Sequence, residues 1–130
     1  MKPETTAQKV ARGYLKAALW TATRPDGAAV QETHSLVDFD ARAWRDAARE
    51  VSRFIAAPGV AEALTRADEF PTDYRAESLG VDLWLSRNGG RGFAGRHGLP
   101  VDVKDVLTRA ALDLGGMKVA IGEQLSILPG

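Results

Sequence analysis

The chain has 130 residues, a length that suits one domain with a single core, and its 45% apolar and 26% charged residues exclude a disordered chain. Seventeen Lys and Arg balance seventeen Asp and Glu, so no net charge draws the protein toward nucleic acid or anionic lipid. Cysteine is absent, which excludes disulfides and thiolate chemistry, and no apolar run nears the roughly 18 residues of a membrane span, so a cytoplasmic protein is expected.

From Thr6 to Thr23, Val10, Tyr14, Ala18 and Ala22 recur with Ala11, Leu15 and Leu19 at helical spacing, which predicts a first helix packed on one face. "RPDGAA" ends it, because Pro25 disfavours helix at Arg24 and Asp26 with Gly27 favours a turn. "AVQETHSLVDF" alternates weakly, which fits a short strand or an extended connector, and of these a loop is the preferred reading. Asp40 is predicted to cap a second helix, with Phe39 and Trp44 spaced as a hydrophobic staple. Its inward stripe is Trp44, Ala47, Ala48, Val51, Phe54 and Ile55, and Pro58 with Gly59 stops it. A short third helix over Val60 to Ala67 turns Val60, Ala63, Leu64 and Ala67 inward.

"DEFPTDYRAESLG" has too little periodicity to assign. "VDLWLS" alternates Val81, Leu83 and Leu85 with Asp82, Trp84 and Ser86, and predicts a strand. Asp102 is expected to cap a further helix with Val103, Val106, Leu107, Ala110 and Leu114 inward and Gly115 at its end. The tail "MKVAIGEQLSIL" predicts two short strands that turn near Gly122 to Gln124. Residues 1–130 are thus expected to form a single α+β domain: about four helices packed with a small antiparallel sheet formed mainly by the C-terminal half.

The densest cluster of unusual residues is "LWLSRNGGRGFAGRHG", Leu83 to Gly98. Gly90, Gly92 and Gly95 satisfy G-x-G-x-x-G, but Arg96 to Pro100 hold them away from any helix start, and too little chain follows for a dinucleotide-binding domain. Arg87, Arg91 and Arg96 have no acidic residue among them from Leu83 to Val101, and with Phe93 they suit phosphate contacts and base stacking. The competing reading pairs these arginines with acidic residues of neighbouring helices.

His34 and His97 lie in separate loops at no metal-ligand spacing, and no serine stands in a nucleophile-elbow context. Asp82 with His97 is the one acid-base pair to consider. Asp38 with Asp40 and Asp68 with Glu69 fall at helix ends, where capping explains them. No catalytic residue, metal or cofactor is therefore expected. Trp44 reads as core, whereas Trp20 beside the first helix's stripe and Trp84 on the Asp82 side of its strand are candidate anchors for a partner, with a core role equally open.

Gly80 to Arg96, "GVDLWLSRNGGRGFAGR", followed by a helix and the "VAIGEQLSIL" hairpin, resembles a family of small phage and prophage proteins of unassigned function. Those typically read G-H-D-F-W-L-T-R-N-G-H-G-A-G-F-W-D-R and begin with a helix of the Y-L-x-x-A-L-W type, matched by "YLKAALW", Tyr14 to Trp20. The pattern maps onto Asp82, Trp84, Leu85, Arg87, Asn88, Gly89, Gly92 and Phe93. The loop is shorter here: Gly90 and Arg91 stand where the family has a histidine, and Ala94 where an aromatic is usual.

The resemblance implies a mobile-element origin and no activity to carry over. The function expected on that basis is a non-enzymatic accessory protein of a phage or mobile element that binds a host or phage protein complex in the host cytoplasm. Its specific form is an inhibitor of host defence, anti-CRISPR-like, acting by steric occlusion. Its contact residues are Arg87, Arg91, Phe93, Arg96, Trp84 and Trp20, since arginine and aromatic side chains dominate binding hot spots. The alternative is a nucleic-acid-binding accessory protein using the Arg87 to Arg96 loop, whose affinity would fall steeply with salt.

Overall fold

Thr5 starts the first helix with a reciprocal cap: its Oγ1 accepts from the Gln8 amide at 3.1 Å, and Gln8 Oε1 accepts from the Thr5 amide at 2.7 Å. The computed structural model describes residues 5–24, 26–68, 76–96 and 98–130. Within these, the α-helices are α1 Thr6–Thr21, α2 Ala41–Ile55, α3 Val60–Asp68, α4 Ala76–Arg87 and α5 Val101–Asp113, followed by the strands β1 Met117–Ile121 and β2 Leu125–Pro129. Short 3-10 turns occupy Val30–Glu32, Leu36–Asp38 and Gly92–Gly95. The architecture is mixed α+β and mostly helical, as the sequence predicts, but its sheet has two strands and its helices number five among the described residues.

The difference comes from "VDLWLS", which lies in α4 and forms no strand. Alternation misled because this helix is covered on nearly every side: Leu79, Gly80, Asp82, Leu83, Trp84, Ser86 and Arg87 are all buried. At 3.6 residues per turn, Gly80, Leu83, Trp84 and Arg87 form one stripe at i, i+3, i+4 and i+7, while Asp82 and Ser86 form another at i and i+4. Each polar member finds its partner far along the chain, so local hydropathy carried no helical signature.

Glycines set the packing of α4 on α1. A Cβ at Gly80 would overlap the Val10 carbonyl oxygen, and one at Gly13 the Glu77 carbonyl oxygen. A glycine inside a helix costs about 1 kcal/mol against alanine. Here it lets two backbones approach closely, with Val10, Tyr14, Leu15, Ala18 and Leu83 buried around the crossing.

Asp40 caps α2 as expected, its Oδ1 accepting from the Ala43 amide at 2.7 Å. Ala47, Val51 and Phe54 point inward as predicted, Trp44 is half-buried, and Ile55 is exposed, because Glu50 and Ala43 take the remaining inward places. Pro100 occupies the cap position of α5. Asp102 sits in its first turn instead, and its carboxylate binds Arg66 of α3. The Arg66 hydrogen bond holds the Asp102 carboxyl below the ordinary carboxylate range.

The tail folds as predicted into an antiparallel hairpin that pairs Met117 with Pro129 through Ile121 with Leu125. The Asp40 amide donates to the Leu125 carbonyl at 2.9 Å, which ties the hairpin to the start of α2. Residues 69–75, Pro25 and His97 lie outside the described residues, and with them most of the unassigned stretch and the turn reading at Pro25. No helix among the described residues is long and apolar enough to cross a membrane.

Candidate functional site

The glycine-arginine stretch is built into the fold. Gly89, at φ 81°, and Gly90 end α4: the Gly89 amide donates to Ser86 O at 3.2 Å and the Gly90 amide to Leu85 O at 2.7 Å. These two bonds are the pattern of a helix terminated by a left-handed glycine. The Asn88 Nδ2 donates to Trp84 O and its Oδ1 accepts from the Met117 amide, both at 2.9 Å, so the same turn pins β1.

Beyond it the chain folds back onto α4. A Cβ at Gly92 would overlap Ser86 Oγ and the Asp82 carbonyl, so only glycine fits at that approach. Ser86 Oγ accepts from the Phe93 amide at 3.1 Å, and the Phe93 ring stacks on Phe54, centroids 5.5 Å apart and planes within 9° of parallel. Arg96 then closes the loop with a two-point bond to Asp82, Nε to Oδ2 at 2.9 Å and Nη2 to Oδ1 at 2.8 Å.

Three of the expected contact residues are therefore internal. Phe93 and Trp84 are core, and Arg87 exposes 5% of its surface. Trp84 meets the Tyr14 ring edge-on at 5.1 Å and donates from Nε1 to Thr21 Oγ1 at 2.9 Å. Arg87 donates to Glu50 Oε1 and Tyr14 OH, each at 3.0 Å, and to the carbonyls of Gly115 at 2.8 Å and Leu114 at 3.1 Å. It neutralises a buried carboxylate and caps the carbonyl end of α5.

Around this guanidinium the titrations follow from the contacts. Burial pushes the Glu50 carboxyl up, but hydrogen bonds from Arg53 and Arg87 outweigh it and hold it below its ordinary value. Burial drives the Tyr14 phenol well above its ordinary value, and its OH donates to Met117 Sδ at 2.9 Å. Glu50 had no part in the sequence reading. Its place at i+3 from Ala47 and i−4 from Phe54, on the inward stripe of α2, was the available signal.

Two expected contact residues stay at the surface and share a groove. Trp20, on the last turn of α1, exposes 49% of its surface. On one side it lines a groove of about 400 Å³ with Val81, Glu77, Ser78 and Arg96. On the other it lines a groove of about 420 Å³ with Leu19, Leu36, Val37 and His34, where Val37 is 84% exposed. Lys16 and Arg12 bind Glu77, and Arg96 binds Asp82, so ion pairs rim an apolar centre. Leu36 and Val37 were missed because the sequence reads them as loop.

Arg91 is exposed and makes no ion pair among the described residues. The phosphate-and-stacking reading thus finds Phe93 and Arg87 inside the protein. Both carboxylate oxygens of Asp82 accept from Arg96, while His97, its proposed acid-base partner, lies outside the described residues. Among the described residues no group of three or more histidine or acidic side chains converges to hold a metal ion. No protein family model, no characterised protein and no solved structure matched the chain when it was compared with them.

Proposed function

We propose that this chain is a non-enzymatic protein-binding protein that acts by covering a working surface of a partner complex. The observation that carries the reading is Trp20, half exposed between an apolar groove toward Leu36 and Val37 and a mixed groove rimmed by the ion pairs of Glu77 and Arg96. Central aromatic anchors with a polar rim are the anatomy of protein interfaces, and truncating such an anchor costs roughly 2 kcal/mol or more of binding. The resemblance of Gly80 to Arg96 to small phage and prophage proteins supports a host-defence complex as the partner, with a CRISPR effector as the specific case. Occlusion needs no reacting group.

A phage-challenge assay in cells carrying an active CRISPR effector reads this directly. Wild-type chain is expected to restore plaque formation, and Trp20→Ala to abolish the effect with an unchanged unfolding midpoint, since the indole makes no hydrogen bond among the described residues. Full inhibition by Trp20→Ala, or no inhibition of any defence complex by the wild type, overturns the reading.

A further inference from the structure

β1 is the outer strand of its hairpin. Gly130 N donates to Gly116 O at 2.9 Å and Gly122 N to Gln124 O at 3.2 Å, which with the pairing of Lys118 to Leu128 and Ala120 to Ser126 marks the even-numbered residues as those bonded to β2. The main-chain groups of Met117, Val119 and Ile121 therefore point away from β2. Asn88 Oδ1 takes the Met117 amide at 2.9 Å, acting as the acceptor that a neighbouring strand would supply. The Val119 amide and carbonyl meet no partner among the described residues, and beside them opens a cleft of about 390 Å³. Ala18 and Ala22 of α1 and Trp84 and Leu85 of α4 line it, and Lys118 is the one charged side chain among its lining residues.

We infer that this cleft takes an extended acidic peptide segment of a partner protein as an added strand on β1. This binding site is distinct from the Trp20 surface and does not depend on it. An unpaired strand edge binds extended backbone through main-chain hydrogen bonds, with alternate side chains giving specificity. A guest residue opposite Val119 exchanges two hydrogen bonds with it and turns its side chain to the Met117 and Val119 face, which asks for an apolar group. The residues before and after it turn to the Lys118 face, which asks for carboxylates. Lys118 makes no ion pair within the described chain, so its charge is available to them. A second copy of β1 paired about Val119 would set Ala120 opposite Lys118 and leave the charge unmatched.

The probes are two capped pentapeptides with a central valine, flanked on each side by glutamate in one and by lysine in the other, titrated into the isotope-labelled full chain. The glutamate peptide is expected to bind, shift the Val119 amide resonance and slow its solvent exchange, and to bind more tightly than the lysine peptide. Lys118→Glu, on an exposed side chain, is expected to reverse that order. Val119→Pro removes the outward amide while sparing the ladder bonds of Lys118 and Ala120, and is expected to lose both peptides with the hairpin intact. Trp20→Ala is expected to bind the glutamate peptide as the wild type does, so this result and the defence assay fail independently. No binding of either peptide up to about 1 mM overturns the inference. So does an order unchanged by Lys118→Glu, or a Val119 amide already protected in a concentration-dependent dimer.

Discussion

Arg87 Nη1 lies 3.0 Å from Glu50 Oε1, and both side chains are almost wholly buried. The pair joins the end of α4 to the middle of α2, and the same guanidinium reaches Tyr14 in α1 and the carbonyl end of α5. Removing Glu50 leaves Arg87 charged and without a carboxylate in a dry interior, which typically costs about 3 to 5 kcal/mol, whereas removing Arg87 leaves Glu50 its pair with Arg53 at 2.8 Å. Glu50→Met is therefore expected to lower stability by that amount and Arg87→Met by less, since Arg53 still pairs with Glu50, both measured by urea unfolding. Arg87→Lys is expected to rescue little, because an ammonium cannot reproduce the planar fork that serves four acceptors. The double variant Arg87→Met with Glu50→Met is expected to lose less than the sum of the two single changes.

Glu50 sets an acid limit. Its carboxyl is held below its ordinary 4.5 in the folded chain and returns to that value on unfolding. Between the two values the unfolded state binds more protons, so this contribution is complete above the unfolded value and is lost as pH falls through the folded one. Unfolding free energy measured from pH 6 to 3 is expected to fall less steeply for Glu50→Gln than for wild type, and equal slopes would remove Glu50 as the source.

Gly80 and Gly89 separate two uses of glycine. At Gly80 an added Cβ meets the backbone of α1, so Gly80→Ala must push the helices apart and is expected to cost about 1 to 3 kcal/mol or more. At Gly89 nothing lies within 4 Å of an added Cβ, and only the positive φ is penalised, at about 1 to 2 kcal/mol. Asn at position 89 tolerates that conformation and is expected to recover most of the loss, whereas no residue larger than glycine is expected to recover Gly80. Thermal midpoints of Gly80→Ala, Gly89→Ala and Gly89→Asn test the order.

Ser86 holds the returning loop through the buried Phe93 amide. Ser86→Ala leaves that donor without its acceptor, an expected loss of about 1 to 3 kcal/mol. Hydrogen exchange distinguishes this from general loosening: the Phe93 amide is expected to lose protection before the amides of α2 do. Equal loss in both would mean that the loop has no local anchor at Ser86.

The elements legible in the sequence are those whose signals are local. The stripe of α1, the Asp40 cap of α2, the inward face of α3, the Val103, Leu107 and Ala110 positions of α5 and the turn between the strands each depend on residues a few positions apart, whereas Val106 of α5, expected inward, is exposed and Ala111 is buried instead. The motif at the centre depends on contacts that folding brings together. Asp82, Ser86, Arg87 and Asn88 look like the polar side of a strand and a basic loop until Arg96, the Phe93 amide, Glu50 and the Met117 amide are brought to them. Burial of a polar side chain is decided by whether a partner arrives to replace its water, and these partners lie 7 to 37 positions away. Trp20 shows the converse: a large aromatic on a helix recognisable from sequence is left half exposed because the described residues beside it, among them Leu36, Val37, Val81 and Arg96, flank the indole without covering it, and that exposure is what makes it the candidate contact.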